Sequence, residues 1–219
     1  MIGIFKYIKF FFIFFVVSTS FAEDIEWSGY TWTLAGGYNQ LPGPNNWEPK
    51  NVWVDKEGAL NLRIDSNGSA GIMSKDKFGF GTYSWIVEGD LYNLDPNIVL
   101  GLFQYPDSSV GPDTTNEIDI EISQWGDPHN DRLNYSIWPN HKEPKFSHYF
   151  NILHLRPGRK WTFTYTRSPS RVEFDSWTVT SDLVSNAEMQ VNMNLWANKG
   201  KVVRPAKIRI LKFYHKKSQ

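Results

Sequence analysis

The 219-residue sequence contains no cysteine. Disulfides are thereby excluded, and so is lipid attachment through a cysteine behind the N-terminal segment. Stability must come from the core, and a chain of this length with 41% hydrophobic residues can bury one as a single domain. Heptads, a fixed-period repeat and low-complexity linkers are also missing after residue 22. Helix signals are weak everywhere, the best being a turn or two at 181–188. There is no excess of basic charge, with 23 Lys and Arg against 23 Asp and Glu, so a nucleic acid partner is not expected.

The chain has only one apolar run of note, at 10–17, preceded by Lys6 and Lys9 and followed by Ser20, Phe21 and Ala22. It is too short to span a bilayer, and its flanks are those of an export signal cleaved after residue 22. The expected product is a secreted or periplasmic domain, 23–219, with no membrane association after cleavage. Loss of two lysines leaves 21 basic and 23 acidic residues, a net charge of about −2. A monomer is expected.

What is present is aromatic: ten tryptophans, all after residue 22, in short alternating segments separated by turn residues. This pattern predicts an all-β fold, a sandwich or jelly roll. A hairpin is predicted at 52–64, turning at Asp55, Lys56, Glu57 and Gly58, with further strands at 82–90, 98–105, 117–123, 132–138, 161–166, 171–179, 188–196 and 206–214. The turn-rich stretches 36–49 and 106–116 are predicted to be loops at the rim of a cleft.

Strand parity sorts these residues by face. At 189–196, Met189, Val191, Met193 and Leu195 oppose Gln190, Asn192, Asn194 and Trp196; at 133–138, Leu133, Tyr135 and Ile137 oppose Asn134, Ser136 and Trp138. In NEIDIEISQWG (116–126), Ile118, Ile120 and Ile122 oppose Glu117, Asp119 and Glu121. Aligned, the polar faces would line a cleft of carboxylates, amides and indoles, which suits an oligosaccharide; unaligned, they would be a solvated outer sheet. Three like charges on one strand face repel, so the triplet costs stability. Paired carboxyls for glycoside hydrolysis would justify it; a charged strand face and a calcium site are the other readings, although no loop of calcium-site spacing surrounds it. The five histidines show no metal spacing.

NEIDIEISQWG resembles the catalytic signature of glycoside hydrolase family 16, Glu-x-Asp-x-Glu on one strand. KFGFGTYSW (77–85), NIVLGLFQY (97–105), LNYSIW (133–138) and NMNLW (192–196) are similar, in order and spacing, to the strands around that signature. The resemblance implies a curved, concanavalin-like jelly roll that hydrolyses a β-linked polysaccharide internally with retention, needing water but no cofactor or metal. It implies Glu117 as nucleophile, Asp119 as its helper and Glu121 as acid and base. It implies sugar contacts from Phe103, Asn134, Asn194 and Trp196, with Trp125 and Trp138 as candidates from neighbouring positions. Transglycosylation would use the same residues, and a non-catalytic carbohydrate-binding jelly roll is the rival from another class. The chain departs from the family where many relatives carry an arginine at Met73 and a tryptophan near Thr115 and Asn116, and again at VEFDSW (172–177) and HYFNILHL (148–155). The compact spacing of the signature leans toward relatives acting on mixed-linkage β-glucan or xyloglucan.

Overall fold

A computed structural model describes residues 23–141, 145–150, 160–201 and 204–218. The expected export signal lies outside them, as do His154 and most of HYFNILHL. Among the described residues the fold is all-β, a jelly roll of two large antiparallel sheets packed face to face. The first sheet runs, in spatial order, β1 (Asp24–Trp27), β2 (Tyr30–Leu34), β7 (Ala70–Phe78), β16 (Met189–Ala197), β9 (Ile98–Tyr105), β10 (Ile118–Ile122), β11 (Leu133–Ile137) and β12 (Phe146–Phe150). The second runs β15 (Thr178–Thr180), β14 (Arg171–Phe174), β13 (Lys160–Ser168), β8 (Gly81–Glu88), β17 (Ala206–Lys217), β6 (Leu60–Ile64) and β5 (Val52–Val54). A small hairpin, β3 (Gly37–Gln40) and β4 (Asn45–Trp47), forms a separate two-stranded sheet that is bridged from Trp47 to Ser69, just before β7.

Alternation fills the space between the sheets. Ile118, Ile120 and Ile122 meet Leu100, Leu102, Met193 and Leu195 from the first sheet and Trp85, Tyr165 and Phe213 from the second in one buried cluster. Burial of this apolar area is the main favourable term in folding. Polar contacts also cross the core: Tyr165 and Arg167 both donate to Gln104 Oε1, at 3.1 and 3.2 Å, tying β13 to β9, and Arg167 also donates to the carbonyl of Ser185 at 3.1 Å.

The predicted 52–64 hairpin forms, with Val52 opposite Leu62 and Val54 opposite Leu60. Gly58 takes φ of +81°, a conformation that favours glycine, while Asp55 accepts from the backbone of Glu57 and Ala59. Two expectations need correction. The 171–179 segment is two strands, because the chain turns at Asp175 and Ser176 and Phe174 N–H returns to the Trp177 carbonyl at 2.8 Å. The 36–49 stretch carries β3 and β4 and is not simply loop. The 181–188 segment, with its weak helix signal, carries turns such as Val184 N–H to the Ser181 carbonyl.

Candidate functional site

The site is built on β10. Before it, Thr115 donates to the Pro112 carbonyl at 2.7 Å, and Asn116 adopts φ of +59°, which asparagine tolerates better than most residues. Asn116 N–H then bonds the Pro139 carbonyl, and the Glu117 carbonyl accepts from Trp138 N–H, both at 2.8 Å. Thr115 and Asn116 therefore set the angle at which Glu117 enters the strand. From there alternation turns the isoleucines into the core and Glu117, Asp119 and Glu121 onto the outer face of the first sheet.

Register converts that face into rows. Glu121 lies opposite Gly101 and Asn134, and Gly101 lies opposite Asn194, which is opposite Gly71. Asp119 lies opposite Phe103 and Ser136, and Phe103 lies opposite Asn192, which is opposite Met73. The three acids, Phe103, Asn194 and Trp196 line a cavity of about 710 Å³. Its far wall is the β3–β4 hairpin, through Leu41, Pro42 and Trp47. Among the described lining residues the charged groups are all acids: the triplet and Asp113.

The carboxyls differ in environment. Asp119 is only 3% exposed, whereas Glu117 and Glu121 are partly open to the cavity. Asp119 Oδ2 accepts from Trp138 Nε1 at 3.0 Å, and its carboxyl shares a hydrogen bond with Glu117. Burial raises the proton affinity of both members of this pair, and their mutual charge reinforces it for Asp119. Glu121 is pushed up to about 8, first by burial and then by the charge of Asp119. Lys145 opposes the shift at all three. Its ammonium lies 4.8 Å from the centre of the Trp138 ring.

The residues expected to contact sugar divide into two groups. Phe103, Asn194 and Trp196 line the cavity, with Asn194 Oδ1 accepting from Gly101 N–H at 3.1 Å. Asn134 is fully buried, and its Oδ1 accepts from Trp125 Nε1 at 3.2 Å. Trp125 in turn packs edge-on against Trp196, ring centres 6.1 Å apart. Asn134 and Trp125 thus brace Trp196 from outside the cavity lining, while Trp138 is engaged with Asp119. The VEFDSW segment lies in the second sheet, where Phe174 stacks on Tyr135 at 4.3 Å, so it shapes the core beneath the cleft and does not line it.

Several site residues escaped the sequence. Tyr105 follows Phe103 by two and shares its face; parity alone would have found it. Its hydroxyl donates to Asp113 at 3.0 Å, and burial with these acids raises its proton affinity. Trp47 was hidden in a turn-rich stretch, and Lys145 in a segment without strand signal. Among the described residues no group of three His, Asp or Glu is arranged to hold a metal.

Neither a protein-family model nor a curated protein matches the sequence. Solved structures do. The chain is similar to a β-glucanase of Bacillus licheniformis, with a TM-score of 0.70 and 18% identity over 85% of this chain and 92% of that one. It is similar to a glycoside hydrolase family 16 endo-glucanase from Bacteroides ovatus, with a TM-score of 0.65 and 16% identity over 84% and 94%. The laminarinase catalytic domain of Thermotoga maritima gives a TM-score of 0.65 and 15% identity over 86% and 92%. The likeness is one of fold: the chain has the jelly-roll fold of glycoside hydrolase family 16.

Proposed function

We propose that the protein is a retaining glycoside hydrolase that cuts a β-linked, uncharged polysaccharide of the β-glucan type internally, acting as a monomer outside the cytoplasm after export by residues 1–22. The observation that carries this reading is the set of three acids on one cleft face, with Asp119 buried between Glu117 and Trp138 and hydrogen-bonded to both. Burial raises the proton affinity of both glutamates, so the roles follow from the partner. Glu117, ionised when the proton of its hydrogen bond rests on Asp119, attacks the anomeric carbon, while Glu121, without such a partner, keeps its proton near neutral pH and gives it to the leaving oxygen. Asp119 holds a proton toward Glu117, since Trp138 occupies its other oxygen. In the second step Glu121 takes a proton from water, which releases the glycosyl group from Glu117. A cavity bearing only acidic charge among its described lining residues suits neutral sugars and repels sulfated or carboxylated ones. Its aromatic rings suit the C–H faces of those sugars.

The test is a panel of mixed-linkage β-glucan, laminarin and xyloglucan, assayed for new reducing ends. Wild type is expected to cleave at least one, and Glu117→Gln and Glu121→Gln to lose roughly 10²- to 10⁴-fold on that glycan. Binding without turnover on all three, or undiminished activity in the two variants, overturns the reading. Products longer than the substrate would show a sugar hydroxyl replacing water on the same residues.

A further inference from the structure

The cavity stops at β10: among the described residues its walls come from β7, β9, β16, the β3–β4 hairpin and the 106–116 loop, with nothing from β11 or β12. A polysaccharide cut internally must nevertheless continue past the glutamates, and on that side it crosses β11 and β12. Register defines what it meets. Tyr149 lies opposite Asn134, and Ser147 opposite Ser136, so both extend the rows of Glu121 and Asp119 onto the edge strand. Phe146 and Phe150 alternate with them and pack against the core.

The intervening strand offers little to a sugar. Asn134 and Ser136 are fully buried, and the Trp138 ring lies under the Lys145 ammonium with its N–H committed to Asp119. Tyr149, by contrast, is 48% exposed. Two interstrand spacings, about 10 Å, separate it from β10, roughly the reach of the next sugars along the chain. Lys145 has the same parity as Ser147 and Tyr149, which places a cation, a hydroxyl and an open aromatic ring along one line.

The geometry points to β12 as a second sugar site, in which Tyr149 stacks on a neutral sugar on the side of the scissile bond away from the cavity, while Lys145 and Ser147 meet its hydroxyls. The inference rests on the glycosidase reading given above. It is tested with end-labelled hexasaccharides cut from mixed-linkage β-glucan, laminarin and xyloglucan, comparing wild type, Tyr149→Ala and Tyr149→Phe. Tyr149→Ala is expected to lower kcat/KM by roughly tenfold, the scale of one aromatic contact, and to move the position of the bond cut. Tyr149→Phe is expected to keep both as in wild type. Unchanged efficiency and cleavage position in Tyr149→Ala overturns the β12 site and leaves the roles of the glutamates standing. If wild type cleaves none of the three, it is the glycosidase reading that fails. Calorimetric titration of the same hexasaccharides then decides the site: tighter binding by wild type than by Tyr149→Ala supports it, and equal or absent binding overturns it.

Discussion

Burial and mutual charge raise the proton affinity of Glu117, Asp119 and Glu121, so the cluster holds protons to higher pH than isolated carboxyls do. Lys145 sets how firmly. Its charge favours the ionised form of all three acids, so Lys145→Met should move the alkaline limb of the kcat/KM profile, governed by Glu121 near pH 8, to higher pH. The limb governed by the Glu117 and Asp119 pair should move the same way, because the pair also loses its cation. A profile with both limbs in place would show that Lys145 does not act on the acids. The groups facing them are Lys145, Asp113 and Tyr105, besides the triplet itself. At this scale the sequence was informative where chemistry repeats with the period of a strand, as it does for the three acids. It was silent on Lys145, because a cation beside the strand two places from β10 in the sheet and 24 residues past Glu121 in chain carries no local pattern.

Rows of side chains across strands, more than any one residue, shape the cavity floor, and glycine opens them. A Cβ at position 101 would stand 2.5 Å from Asn194 Oδ1, and one at position 71 would stand 3.1 Å from the Trp47 ring. In a strand interior alanine otherwise has the advantage by roughly 0.5–1 kcal/mol. Gly101→Ala should therefore cost activity through displaced Asn194 without a matching loss of stability. In the Asn194→Ala background the same substitution should cost much less, a coupling of about 1 kcal/mol or more in the double-mutant cycle on kcat/KM. Equal costs in both backgrounds would remove Asn194 as the reason for Gly101. Strands with clean alternation, such as β9, β10 and β16, were legible in the sequence almost to their ends. β7 was not, because Lys75, Asp76 and Lys77 interrupt its apolar positions. Nor was β4, which is held by packing: Trp47 lies over Gly71, and Asn45 bonds the backbone of Ala197, 152 residues away.

The order of strands in the two sheets is a property of the whole chain, and alternation does not encode it: β7 pairs with β16 and β6 with β17 across more than a hundred residues. That closure has a consequence for stability, because it buries the acid cluster. A carboxyl whose proton affinity is raised by folding stabilises the fold fully below its unfolded pKa, and the contribution is lost as pH rises through the folded one. For Glu121 the window runs from 4.5 to about 8. Asp55 and Asp107 are both lowered to about 2, first by the side-chain hydrogen bonds from Asn61 and Lys77, so they act in the opposite sense and lose their contribution only in acid. His215, lowered by burial from 6.5, opposes the acids below that pH but not above it. Wild-type stability should therefore fall between pH 6.5 and 8, by up to about 1.4 kcal/mol per pH unit for each proton the fold retains. Glu121→Gln, which cannot ionise, should show a shallower fall over the same interval. Urea unfolding midpoints measured across it check both statements: a wild-type curve that is flat or rising would mean that the cluster is already ionised in the folded protein, and a variant with the same slope would mean that Glu121 is not the group that holds the proton.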